Sequence, residues 1–246
     1  MAHDDLHVFE SLDEAVQAVA GSIADLSAKS NLERGRFTIA LAGGSTPKPL
    51  YQLLATAPFA SSIDWKLWHV FWGDERCVPP GHPDSNYRMA KEALLDHIPI
   101  PTTQVHRIHA EGDPEDAAAF YERTIRDVFS PSEPHLDLVL LGMGDDGHTA
   151  SLFAGTEAME QQERLIVANW VPHLNAHRIT ATFPFINAAS NVVILATDAG
   201  KAPAVKRVFQ PEADAEAPPI ALVHPMGNDA QWYLTRSAVS LLTDAP

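Results

Sequence analysis

Asp146-Gly147-His148, in the loop that follows the largely apolar run 136–141, holds the residue types for moving a proton near neutral pH. An imidazole can take a proton from water and return it later, and a nearby carboxylate can orient the ring and favour its charged form. The competing reading is a histidine that only packs or caps at a helix start. A second segment, Ala42-Gly43-Gly44-Ser45-Thr46-Pro47, suits an anion. Gly43 and Gly44 let backbone N–H groups approach closely, Ser45 and Thr46 add hydroxyls, and Thr46 as N-cap with Pro47 in the first turn would start a helix. The bland alternative is a tight turn and a cap. A third segment, Gly73-Asp74-Glu75-Arg76, places a cation among carboxylates, and Ser85-Asn86-Tyr87 opens a later helix.

Two motifs in the Asp146 loop mislead. Gly142-Met143-Gly144-Asp145-Asp146-Gly147 matches GxGxxG letter for letter. Two aspartates would face a pyrophosphate with like charge, and no acidic residue near Val167 and Ala168 awaits a ribose, so a dinucleotide is excluded. The same stretch spaces its glycines like a P-loop, but His148 stands where the phosphate-binding lysine belongs. Ser45 is a poor nucleophile, because a Gly-x-Ser-x-Gly elbow needs glycine where Pro47 stands.

The elements that must position these residues alternate. β-rich runs are expected at 37–42, 68–72, 136–141, 165–168, 178–183, 192–197 and 220–223, and helices at 12–27, 48–55, 86–96, 114–129 and 201–209. This is the pattern of an α/β fold, a doubly wound, mainly parallel sheet of Rossmann-like type with helices on both faces, 136–141 being a central strand. His148 then lies beyond the carboxyl edge, where such sheets bind ligands. Segments 79–83 and 211–219 read as exposed loops, and Trp65, Trp68 and Trp72 as core and rim. All 246 residues are expected to form one domain.

Composition narrows the function classes. A formal net charge of −15 argues against nucleic-acid binding, which needs clustered Lys and Arg. No run is long and apolar enough to span a membrane, and 1–10 lacks a secretory signal. Cys77 is the single cysteine, which fits a reducing compartment, the cytoplasm. The twelve histidines invite a metal reading, but His3 with His7 and His106 with His109 lack partners at ligand spacing, so no catalytic metal is expected.

The three segments together resemble the 6-phosphogluconolactonase family, part of a wider sugar-phosphate isomerase group that includes glucosamine-6-phosphate isomerase/deaminase. The resemblance runs from about Phe9 to Thr235. It is carried by Ala42 to Pro47, Gly73 to Arg76, Ser85-Asn86 and Gly142-x-Gly144-x-Asp146-Gly147-His148-Thr149-Ala150-Ser151-Leu152-Phe153. Ala154 departs from the pattern, where a proline often precedes the glycine.

The resemblance implies hydrolysis of 6-phosphoglucono-δ-lactone to 6-phosphogluconate, the second step of the oxidative pentose phosphate pathway, without a cofactor. It implies His148 as base, Asp146 as its orienter and Arg76 beside the developing oxyanion or product carboxylate. Arg178 with Ser45 and Thr46, and more weakly Lys201, fall to the 6-phosphate. Gly43, Gly44, Gly144 and Gly147 shape the two loops, and Asp74 and Asn86 hold them. Which of Arg76, Arg178 and Lys201 meets phosphate and which the carbonyl stays open. The expected partner is a small phosphorylated sugar lactone, with a monomer expected and a dimer the alternative. Deaminases continue after this histidine into Ile-Ala-Phe-Asn-Glu-Pro, and the residues here supply no such glutamate. A sugar-phosphate sensor would carry a helix-turn-helix for which the residues ahead of the first strand leave no room.

Overall fold

The computed structural model describes residues 5–213, 215–226 and 228–243; His3 and the ends of the expected 1–246 domain lie outside these. In chain order the strands and α-helices are β1 (Asp5–Phe9), α1 (Leu12–Arg34), β2 (Phe37–Leu41), α2 (Lys48–Leu54), α3 (Phe59–Ser62), β3 (Trp68–Trp72), β4 (Asp74–Arg76), α4 (Asn86–Ala93), α5 (Pro114–Phe129), β5 (Leu138–Gly142), β6 (Ile166–Val171), β7 (Ala176–Ala181), α6 (Phe183–Asn187), β8 (Val192–Ala196), α7 (Ala202–Phe209) and β9 (Gln231–Thr235).

Six strands form one parallel sheet in the order β1-β9-β8-β5-β2-β3. Every residue of β2 and β8 is buried, and since successive side chains point to opposite faces, both faces are covered. The expected doubly wound α/β architecture is therefore present, with β5 in the interior. The chain leaves β2 outward to β3 and returns on the other side to β5. That reversal opens a crevice between the carboxyl ends of β2 and β5, where their loops part.

Local chemistry sets the helix ends. Ser11 Oγ accepts from Glu14 N–H at the start of α1, and Gly35 closes it in the left-handed conformation at φ 70°. Asp113 caps α5 by accepting from Glu115 and Asp116, with Pro114 in the first turn. α1 runs past the expected 27 because its buried face continues with Ser27 and Ser30, which break the apolar period. Ser27 Oγ accepts from Trp68 Nε1 at 2.7 Å and Ser30 Oγ donates to Arg36 O. Trp65, Trp68 and Trp72 are all buried.

Several expectations are corrected. Segment 220–223 is not a strand; 219–222 is a 3-10 turn started by Pro218-Pro219, and the sixth parallel-sheet strand is β9. Runs near 165 and 178 are strands, but they lie in a separate antiparallel sheet, order β4-β7-β6, in which β7 pairs with both β4 and β6. The loop 79–83 is mostly exposed, whereas 211–219 ends with Pro218 and Pro219 buried, Asp214 lying outside the described residues. Thr46 is not the cap of α2, whose first turn begins at Pro47 without a side-chain cap.

Candidate active site

β5 ends at Gly142, and the chain turns tightly through Gly144 to His148. Gly147 N–H donates to Gly144 O at 3.0 Å and Gly144 N–H to His148 O at 2.8 Å. Asp146 Oδ1 accepts from His148 N–H at 3.0 Å and lies 2.6 Å from His148 Nδ1. Burial pushes the Asp146 carboxyl up, but the bonds and charge of His148 outweigh it and hold the group below the usual carboxylate range. An ionised Asp146 can only accept, so the contact assigns the proton to Nδ1 and leaves Nε2 with a free lone pair. The imidazole stacks on Phe153, ring centroids 4.1 Å apart, with 29% of its side chain exposed. Gly144 is what makes room: a Cβ there would lie 2.1 Å from His148 Nδ1 and 2.6 Å from Asp146 Oδ1. The glycine spacing that mimics a nucleotide motif serves this approach.

Beside the pair, Asp74 at the start of β4 is buried but reaches the cleft wall. Its Oδ2 accepts from Ser151 Oγ at 2.6 Å and its Oδ1 from Asn86 Nδ2 at 3.1 Å. Asn86 Nδ2 also donates to Asp74 O, and a Cβ on Gly43 would overlap the Asn86 amide at 1.9 Å. Asn86 thus stands behind the wall, tying the Gly43 loop to β4, and is not a lining residue. Glu75 is buried behind it, accepting from Arg76 N, Asn86 N, Tyr87 N and Ser85 Oγ. Burial raises its pKa, and the backbone donors oppose that rise.

Arg76 and Arg178 are directly opposite in the β4–β7 ladder. Facing like charges are unfavourable across strands, and burial followed by the nearby Arg76 lowers the Arg178 pKa. Neither forms an ion pair with a carboxylate among the described residues; Arg76 instead donates to Asp84 O at 2.8 Å. Asp74 and Asp84 lie near enough to oppose the fall at Arg178, and two cations held together without a direct ion-pair partner favour an anion between them. Lys201, at the entry to α7, is not on a solvated face: its Nζ lies 2.6 Å from Asp145 Oδ1.

These side chains line a cleft with two compartments. The narrower, about 230 Å³, is walled by Gly43 to Pro47, Gly73 and Met143. The wider, about 530 Å³, adds Asp145, Asp146, Phe153, His173, Leu174 and Arg178. His148, Asp74, Arg76, Gly144, Ala150 and Lys201 border both. Ser45 and Thr46 are therefore in the narrower compartment and Arg178 in the wider, so the groups expected on one phosphate are divided. Gly147, at φ 88°, faces away, where a Cβ would meet Pro218.

Sequence reasoning missed His173, which meets Phe153 edge to face at 5.1 Å, and Leu174 beside it. They sit in a short turn between β6 and β7 that carries no sequence signal. It also missed the backbone strain at Ala150, φ 47°, a non-glycine residue in the left-handed region on the cleft floor. Among the described residues no cluster of three or more His, Cys, Asp or Glu side chains could hold a metal, and no helix is long and apolar enough to cross a membrane.

The family model described as glucosamine-6-phosphate isomerases/6-phosphogluconolactonase matches residues 10–232. The chain is 48% identical over 211 residues to the 6-phosphogluconolactonase of Nostoc sp., covering 84% of this chain and 85% of the relative. It is 37% identical over 254 residues to a probable chloroplastic 6-phosphogluconolactonase of Oryza sativa subsp. indica, covering 97% of this chain and 76% of the relative. The solved structure of 6-phosphogluconolactonase from Trypanosoma brucei superposes with a TM-score of 0.89 at 28% identity, covering 99% of this chain and 100% of that one.

Proposed function

This chain belongs to the glucosamine-6-phosphate isomerase/6-phosphogluconolactonase family, and from that premise we propose that it hydrolyses 6-phospho-D-glucono-1,5-lactone to 6-phospho-D-gluconate in the oxidative pentose phosphate pathway. The observation that carries the mechanism is the Asp146–His148 pair, whose Nε2 is free to take a proton at the edge shared by both compartments. Water bound at Nε2 attacks the lactone C1, giving its proton to His148 and its oxygen to carbon. The carbonyl electrons move to the oxygen, giving a tetrahedral oxyanion. Collapse breaks the bond from C1 to the ring oxygen, and His148 returns the proton to that oxygen. Asp146 stays ionised and stabilises the imidazolium.

Arg76 is assigned to the oxyanion, a role worth about 3–4 kcal/mol where a site excludes water. The 6-phosphate is assigned to Gly43 through Thr46 with Lys201, since these share the narrower compartment. Arg178, opposite Arg76, falls to the lactone end. Asp74 braces the wall between them. No step needs a cofactor. A monomer is proposed, with a dimer as the alternative, and the single half-buried Cys77 fits the cytoplasm.

The test is a substrate comparison. With fresh phosphogluconolactone, product followed through a coupled dehydrogenase should form faster than by spontaneous hydrolysis, while glucosamine 6-phosphate should release no ammonia. Ammonia release without lactonase activity would replace this function with deamination.

A further inference from the structure

The Asp146–His148 turn is short, rich in glycine and exposed, yet it must hold a carboxylate against an imidazole. Within the turn, the Asp146 carboxylate meets both the N–H and the ring of His148. What fixes the turn itself comes from a distant part of the chain. Arg207, in the last turn of α7, donates from Nη2 to the main-chain oxygen of Asp146. Ile220 N–H donates to Gly147 O at 3.0 Å. Buried Pro218 closes against Gly147, where an added Cβ would come within 2.5 Å of Pro218 Cβ and 3.3 Å of Arg207 Nη2. At the other end of the same helix, Lys201 reaches Asp145. One helix and the turn after it thus hold three consecutive residues, Asp145 through the cleft-lining Lys201, and Asp146 and Gly147 through Arg207, Pro218 and Ile220 outside the cleft.

We infer that Arg207 is a positioning residue: by holding the Asp146 carbonyl it fixes the Asp146–Gly147 peptide plane, and so the direction in which the Asp146 carboxylate meets His148. The inference rests on the roles proposed above for Asp146 and His148. Three features single out this arginine. It lines neither compartment, so it does not act on substrate. Among the described residues it has no carboxylate partner, although the chain is strongly acidic. And the peptide it holds ends on Gly147, φ 88°, a residue without a Cβ to resist rotation of that plane. A neutral or shorter side chain would leave the Asp146 carbonyl to water and the plane free to turn.

The experiment measures kcat and KM for phosphogluconolactone, with melting temperature, for Arg207→Met, Arg207→Lys, Asp146→Asn and the Asp146→Asn/Arg207→Met double variant. Lys206→Met serves as a control that removes an exposed neighbouring charge. Arg207→Met should lower kcat about tenfold with KM within twofold. Arg207→Lys, which keeps a donor, should lose less, and Lys206→Met nothing. In the Asp146→Asn background Arg207→Met should add less than a twofold loss, because the carboxylate it orients is gone. Full kcat in a folded Arg207→Met protein, a change confined to KM, or losses that multiply in the double variant would each overturn the inference. Undiminished turnover by Asp146→Asn alone would instead remove the pair from the chemistry.

Discussion

Replacing Gly144 by alanine probes the catalytic geometry with a single methyl. Its Cβ would sit 2.1 Å from His148 Nδ1 and 2.2 Å from Cε1, against an ordinary contact beginning at 3.4 Å, so ring and methyl must part by about 1.3 Å. Gly144 is not among the glycines with positive φ, so alanine suits its backbone and the effect is steric. The imidazole cannot retreat freely, because Phe153 stacks on it at 4.1 Å and Asp146 Oδ1 is itself 2.6 Å from the new Cβ. The 2.6 Å Nδ1 to Oδ1 bond should break or lengthen. Displacement of a catalytic group by about 1 Å costs on the order of a hundredfold in rate, equivalent to about 2.7 kcal/mol. Overpacking should cost roughly 1–3 kcal/mol of stability, reduced by about 0.4–1 kcal/mol because alanine restricts the unfolded chain. The coupled lactonase assay should show kcat down about a hundredfold, with a melting temperature lowered by only a few degrees. Gly21→Ala, where nothing lies within 4 Å, should leave kcat unchanged. A folded Gly144→Ala enzyme with kcat within threefold of the parent would refute the claim that Asp146–His148 contact sets the rate.

Other perturbations separate the remaining roles. Lys201→Met should raise KM for the phosphorylated lactone about tenfold with kcat within threefold, whereas Arg178→Met should lower kcat more than it raises KM; steady-state kinetics read both, and the reverse pattern would exchange their ends of the cleft. Asn86→Ala strands the Asp74 acceptors and opens space behind Gly43, so denaturant titration should show a loss of about 1–3 kcal/mol, and a neutral effect would contradict the bracing role. His106, half-buried against Phe71 and 3.1 Å from His69, is held down to about 4 from 6.5, chiefly by desolvation and then by His69. A histidine depressed in this way is neutral in the fold, so its contribution is complete above about pH 6.5 and is lost as pH falls toward 4. Between pH 7 and 4.5 it should account for about 1–2 kcal/mol of lost stability after solvent screening is allowed for. His106→Gln should flatten that acid limb, and an unchanged limb would refute the assignment.

The fold was legible where burial is continuous. β3 and α5 begin and end where their patterns predict, because an aromatic-rich, mostly buried run and a proline-led, aspartate-capped start leave little ambiguity. β1 and β9, no shorter than the legible β2 and β8, escaped notice because each mixes polar with apolar side chains. The run 220–223 reads as a strand, but the prolines before it favour a turn, and its Ile220 N–H is spent on Gly147 rather than on a ladder. In the site, Asp146, His148 and Gly144 converge because they share one tight turn, which spacing reveals. Register is what spacing cannot give. The opposition of Arg76 and Arg178 arises from antiparallel pairing of segments a hundred residues apart, and so does the separation of Arg178 from Ser45 and Thr46. His173 and Arg207 reach the site through contacts that no local pattern encodes.

The central claim is that His148 Nε2 activates the water that opens the lactone. Its most direct test compares the parent protein with His148→Ala on fresh 6-phosphogluconolactone, spontaneous hydrolysis subtracted, with circular dichroism confirming the fold of both. The account predicts a clear enzymatic rate for the parent and a loss of at least about a thousandfold for His148→Ala, since both the base and the returned proton disappear. A folded His148→Ala protein that retains near-parental turnover would contradict it.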